Sequence, residues 1–301
     1  MKSDIKPVLS SYYTEKAKKV QFVAPLVKRG EPLASLAQEL IIRGFSKRTI
    51  QSYLEINKKF LIFLNKSAKA ATSQDVKNYL LYLKSQGLSN TSVNLAISGI
   101  KFYFEQILKR KLFFCIKRPK KEKYLPTVLS KKEIVSLIEA TQNLKHKLLL
   151  SIMYGSGLRV SEAVSLKIDH LDIAGSKILV KSGKGSQDRL TLLSQNSINL
   201  LRQYLPILPL NQNYLFSGAR GQGHLTQRSA EKIFKQALLK AGIRKQASCH
   251  SFRHSFATHL LQNGTDIRLI QKLLGHQNIK TTQIYVQVAD SMLFKIISPL
   301  D

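Results

Sequence analysis

Between Lys109 and Pro126 the sequence carries eight Lys or Arg residues together with Pro119 and Pro126. Like charges repel and prolines interrupt both helix and sheet hydrogen bonding, so such a segment resists burial and divides the chain into two folding units. With 301 residues there is length for two domains of ordinary size. The expected organisation is an N-terminal arm over 1–30, a helical domain over 31–116, a basic linker over 117–128, a second domain over 129–290 and a C-terminal segment over 291–301.

Upstream of the divide, apolar residues recur at helical spacing. One helix is expected from Leu33 to Arg43, closed by Gly44, which suits a left-handed cap. A second, capped by Ser46, buries Ile50, Tyr53, Leu54, Phe60, Leu61 and Leu64 and leaves Lys47 and Arg48 on another face. Ser73 opens a third around Val76, Leu80 and Leu83, and Ser89 or Asn90 a fourth around Val93, Ile97, Ile100, Phe104 and Leu108. A small four-helix bundle results.

Downstream, Ser130 and Glu133 have the spacing of a capping box ahead of a helix from Lys131 to Ala140. A second helix follows with Leu144, Leu148, Leu149, Ile152 and Met153 as its apolar face. Leu171–Ile173, Lys177–Lys181 and Arg189–Leu193 read as short strands, the last two joined by a Gly-rich turn containing Lys184. Thr226 caps a helix that runs to Lys240 before Gly242. The fold class is therefore mainly α, with a small antiparallel sheet at one edge of the second domain.

Charge narrows the partner. Lys and Arg number 48 against 18 Asp and Glu, a formal net charge of +30, which calls for a polyanion such as nucleic acid. A membrane is not expected, because no apolar run is long enough to span one and Met1–Ser10 lacks the apolar core of a signal peptide; the expected location is the cytoplasm. The two cysteines, Cys115 and Cys249, fall in different domains and read as free thiols.

The chemistry concentrates between Cys249 and Val288. His250 and Arg253 stand three apart, Gly275-His276 follows a short apolar helix, and Tyr285 lies nine residues beyond His276. Arg159, in Gly155-Ser156-Gly157-Leu158-Arg159, and Lys184, between Gly183 and Gly185, belong with them. Two guanidinium groups can hold a phosphodiester bidentately and offset charge growing on its oxygens, imidazoles can donate or relay a proton, and a phenol can attack. Glu162, one turn after Arg159, can orient that guanidinium or an imidazole, or simply sit favourably in the first helical turn. His250 and His254 have the four-residue spacing of zinc ligands, but no Glu lies between them and Arg253 would repel a cation, so no metal is expected. His254 and His259 read as structural.

In order and spacing these motifs resemble the tyrosine recombinase, or phage integrase, family, most closely its Xer-like members, over nearly the whole chain. The resemblance implies an N-terminal core-binding domain of SAM-like fold and a catalytic domain that cuts and rejoins DNA strands through a 3′-phosphotyrosyl bond and a Holliday junction, without metal, ATP or other cofactor. It implies Tyr285 as nucleophile, Arg159, Arg253, His250 and His276 around the phosphate, and Lys184 as the acid that protonates the leaving 5′ oxygen, with Lys181 as its nearest competitor. DNA contacts are expected from Lys47, Arg48, Lys117, Arg118, Lys120 and Lys121. The partner would be double-stranded DNA with a specific site, bound by a homo-tetramer whose free form is a monomer or weak oligomer, with the apolar Met292–Leu300 segment packing on a neighbouring protomer. Gln287 departs from the histidine that many relatives carry there. Two other readings fit parts of the pattern: a non-catalytic helix-turn-helix DNA-binding protein built on Asp266–Gln287, and a type IB topoisomerase.

Overall fold

A computed structural model describes residues 33–113, 116–120, 126–181, 188–218 and 223–286, and the chain divides into two compact units between Lys123 and Tyr124. In the first unit, α1 (Ala34–Ile42) ends where Gly44 turns left-handed at φ +73°. Helix α2 (Lys47–Leu64) starts at Ser46, whose hydroxyl accepts the Thr49 amide at 3.1 Å. Thr72, one residue earlier than the serine expected to open it, caps α3 (Ser73–Ser85) in a reciprocal box with Asp75. Ser89 caps α4 (Asn90–Phe102), which runs on into a π-helical turn over Tyr103–Ile107.

The bundle closes on Phe60, Phe104, Ile97 and Ile100, all fully buried. Gly99 lets α4 approach α2, and there the buried Asn57 amide donates to the carbonyls of Tyr53 and Gly99. The basic run, expected to resist burial, packs into this unit at its start. Leu112 and Phe113 are buried in this core, and Arg110 donates to the carbonyls of Ala68 and Ala71. The apolar residues that interrupt the charges supply the burial a purely basic segment would lack.

The second unit opens with the Ser130–Glu133 capping box on α5 (Lys131–Glu139), followed by α6 (Leu144–Gly155) and the five-residue α7 (Val160–Val164). Three antiparallel strands, β1 (Leu171–Asp172), β2 (Lys177–Val180) and β3 (Arg189–Leu192), lie in sequence order, with Ile178 opposite Thr191. Helices α8 (Gln195–Tyr204), α9 (Gln227–Lys240), α10 (Cys249–Gln262), α11 (Ile267–Leu274) and the one-turn α12 (Lys280–Gln283) complete it. Helix α10 is buried on most of its surface, with Phe252, Ala257, Arg253 and Ser255 all inside. A helix sunk this deeply fixes its buried polar side chains in place, and α10 carries two of the expected catalytic residues, His250 and Arg253. Among the described residues no helix is long and apolar enough to cross a membrane.

Candidate active site

The site grows from the turn between α6 and α7. Gly157 takes φ +61°, and a side chain there would collide with the Phe256 ring of α10. The bare backbone can therefore lie against α10, and the Gly157 carbonyl accepts Arg253 Nη1 at 2.8 Å. Arg253 Nη2 donates to the Leu274 carbonyl at the end of α11. With its side chain 4% exposed, Arg253 ties three segments together while its charge stays inside. Burial, and then the charge of Arg159, push its pKa down to about 10, so it remains protonated at neutral pH.

Two residues after Gly157, Arg159 occupies the N-cap of α7. Glu162 accepts both from its backbone N–H (2.8 Å) and from Nη1 (2.7 Å), so the carboxylate caps the helix and orients the guanidinium together. Glu162 sits in the first turn of α7 with its carboxylate on the Arg159 guanidinium. Arg159 keeps its side chain 37% exposed, an accessible cation beside the buried Arg253.

The same carboxylate is gripped by a residue that pattern reading passed over. Arg189, first in β3, donates Nη1 to Glu162 Oε1 at 2.9 Å and Nη2 to Oε2 at 2.7 Å. Burial works to raise the Glu162 pKa, but the Arg189 hydrogen bonds and charge, with those of Arg159, override it and hold it at about 2. Alternation pointed the wrong way here. Leu190 and Leu192 are exposed, whereas Arg189 and Thr191 face inward, the reverse of the usual apolar-in pattern of a strand. A charged residue alternating with a small polar one, just after a Gly-rich turn, was the available signal.

Tyr285 is 3% exposed and packs with Phe256, Leu261, Ile270 and Leu274. Burial raises its pKa, and the positive charges of Arg253 and Arg159 pull against that rise. Its ring stacks on His276, centroids 6.4 Å apart at 19°, and His276 Nδ1 meets Thr282 Oγ1 at 3.0 Å. The Tyr285 hydroxyl lies 3.2 Å from His254 Nδ1. His254, expected to be merely structural, is thus the imidazole that the phenol touches, and the contact spans 31 residues of sequence, beyond the reach of local pattern. Burial, then the neighbouring His250 and Arg253, lower the His254 pKa to about 4; burial and the Arg253 and Arg159 charges do the same for His276. Both rings are therefore neutral at pH 7, and the burial and positive charge that keep them neutral make them weak bases. His259, by contrast, pairs with the Tyr154 hydroxyl at 2.9 Å.

Arg159, Glu162, Arg253, His276 and Tyr285 are thus brought to one place. His250 lies on α10 one turn before His254, exposed to solvent. Lys184 and Lys121 fall outside the described residues, as do Cys115, Gln287, residues 1–30 and the C-terminal segment. Of the other expected DNA contacts, Lys47, Arg48, Lys117 and Lys120 are exposed, and Arg118, also exposed, donates to Asn94 O and Ser98 Oγ. Lys181 is exposed at the end of β2. Among the described residues no cluster of His, Cys, Asp or Glu could hold a metal ion. Cys249 is buried and its thiol is pushed up to about 12, which leaves it protonated and inert.

Comparison with known proteins gives this geometry a lineage. The model of the phage integrase family matches residues 127–292, and that of the phage integrase N-terminal SAM-like domain matches 33–113. The chain is 36% identical to tyrosine recombinase XerA of Pyrococcus horikoshii over 87% of its own length and 90% of the relative's. It is 35% identical to tyrosine recombinase XerD of Oceanobacillus iheyensis, covering 84% of this chain and 92% of that one. Its structure is similar to that of the XerH site-specific recombinase bound to difH substrate in a pre-cleavage complex, with TM-score 0.71, 25% identity and coverage of 93% and 89%. The chain belongs to the phage integrase family and is a tyrosine recombinase.

Proposed function

We propose that this site-specific recombinase cuts double-stranded DNA with Tyr285 and rejoins the strand to a partner, conserving bond energy in a 3′-phosphotyrosyl link. The phenolic oxygen attacks the scissile phosphorus, the bond to the 5′ oxygen breaks, and that oxygen leaves as a hydroxyl after taking up a proton. Reversal with the 5′ end of a partner strand restores the phosphodiester and, done strand by strand, passes through a Holliday junction. No net bond energy is lost, so ATP is not needed.

The observation that carries this reading is the assembly of Arg159, Arg253 and His276 around the Tyr285 phenol from three separated stretches of sequence. Arg159 and Arg253 supply the fixed positive charge that the transition state needs in a water-poor site. His254 touches the phenolic oxygen and can orient it, and His250 and His276 can donate to a phosphate oxygen. Lys184 is the general acid for the leaving oxygen by resemblance to the family. Because Tyr285 is buried, the turn after α12 that carries it must shift for its hydroxyl to meet a phosphate.

DNA as the partner is supported by the DNA-bound structures of XerH with its difH substrate and of the lambda integrase dimer with a core site. The net charge of +30 agrees with that partner. The helical unit, with Lys47, Arg48, Lys117, Arg118, Lys120 and Lys121, would cover one face of the duplex, with residues 1–30 as an arm. Four protomers would assemble on a specific site in the cytoplasm, residues 291–301 reaching a neighbour. A helix-turn-helix regulator would have no use for the buried Arg–Glu cluster.

A nicked suicide duplex tests the reading. The protein is expected to form a covalent adduct in EDTA, and Tyr285→Phe to bind duplex but form none. An adduct of undiminished yield in Tyr285→Phe would remove the nucleophile assignment. Binding should weaken steeply as salt rises.

A further inference from the structure

The three guanidinium groups at the site are not equivalent. Arg189 spends its whole fork inside the protein, on the two oxygens of Glu162 and, through Nε, on the Leu273 carbonyl at 2.8 Å. Its side chain is 8% exposed. Glu162 takes two more bonds from Arg159, so it accepts four in all, about the full capacity of a carboxylate. Arg253 Nη1 stands only 3.9 Å from the same carboxylate, close enough to be drawn in were the fork absent. Backbone shape protects the arrangement. Gly275 takes φ +65°, and a Cβ there would come within 2.7 Å of Arg189 Cδ.

We propose that Arg189 is a positioning residue for strand cleavage: by occupying the Glu162 carboxylate it leaves the charge of Arg159 and Arg253 for the phosphate, and by holding the Leu273 carbonyl it sets the corner that carries His276. Two opposing demands meet at Glu162. The carboxylate is needed to cap α7 and aim Arg159, yet a lone carboxylate beside two phosphate-binding guanidinium groups would neutralise what it aims. A third cation, with each of its three nitrogens hydrogen-bonded and its side chain turned away from solvent, resolves the conflict. Arg189 need not touch DNA to do this. The bidentate geometry explains why the residue is Arg, since an ammonium is a point donor and cannot match both carboxylate oxygens and a carbonyl together.

This inference rests on the function proposed above, and single-turnover cleavage of the suicide duplex, with protein in excess of its duplex Kd, separates the two. Arg189→Lys keeps the charge and is expected to fold, to bind duplex within about twofold of the parent, and to cleave about 10- to 100-fold more slowly, the scale of a misplaced catalytic group. Arg189→Met should be slower still, and Arg189→Met combined with Glu162→Gln should recover at least about tenfold of that loss, because the competing negative charge is gone while the glutamine amide oxygen can still accept from Arg159. A merely structural Arg189 would change the folded fraction, read by circular dichroism, without this recovery in rate per folded molecule. Parent-like cleavage by Arg189→Lys, or a double variant no faster than Arg189→Met, overturns the proposal. If Arg189→Met does not fold, the Arg189→Lys rate decides alone. A parent protein that forms no adduct defeats the proposed function instead.

Discussion

Each unit of the molecule contains an Arg–Glu pair at 2.7 Å, and the two pairs have little else in common. Glu39 and Arg43 stand four apart at the end of α1, 33% and 42% exposed, where water competes for both charges. Glu162 and Arg189 lie 27 residues apart, 11% and 8% exposed, with Arg159 and Arg253 beside them. Length alone says nothing about worth. An exposed pair trades hydration for a weak attraction, whereas a buried one has lost its hydration and depends on its partner. Among its described residues the first unit keeps its charged side chains at the rim. The second takes several inside, and a fold accepts that cost where chemistry needs fixed charge in a water-poor place.

The comparison breaks most readily at Glu162. Glu162→Gln leaves Arg189 buried without its counter-ion, and chemical denaturation should show a loss of about 3–5 kcal/mol. A loss below about 1 kcal/mol would mean that the cluster is solvated and the contrast between the units false. Next in size, Gly275→Ala combines a left-handed backbone with the approach to Arg189, and should cost about 1–2 kcal/mol while slowing cleavage. An unchanged cleavage rate would show that the Arg189 corner tolerates displacement.

Protonation sharpens the contrast further. His254 and His276 titrate near 4 when folded against about 6.5 when unfolded. The unfolded chain binds more protons between those values, so the stability from the neutral rings is fully present above pH 6.5 and declines as pH falls toward 4. Unfolding followed across that window should give a shallower pH slope for the His254→Asn, His276→Asn double variant than for the parent. Equal slopes would place the acid sensitivity elsewhere. The smallest effect belongs to the first unit, where Glu39→Gln should change stability by no more than about 0.5 kcal/mol.

What the residues disclosed in advance divides along the same line. The caps at Ser46, Ser89, Ser130 and Thr226 and the apolar helix faces are local, and local pattern was enough to place them. The family resemblance named Arg159, Arg253, His276 and Tyr285, which the fold sets close together, while Lys184 lies outside the described residues. Arg189 and His254 escaped because each acts through a partner that only the folded chain supplies: Glu162 across the sheet edge, and Tyr285 across two helices. The strand pattern concealed Arg189 further by turning Leu190 and Leu192 outward. The packing of the basic segment around Leu112 and Phe113 was likewise hidden by the charge that surrounds those two residues.

The central claim, that a phenol buried among guanidinium and imidazole groups is the group that bonds to DNA, has a direct readout. The parent protein would be trapped on a suicide duplex in EDTA, digested with nuclease and trypsin, and its peptides sequenced by mass spectrometry. A nucleotide phosphate is expected on Tyr285, in the peptide that begins at Thr281. The same mass on any other residue, or none on a protein that demonstrably cuts the strand, would contradict the account.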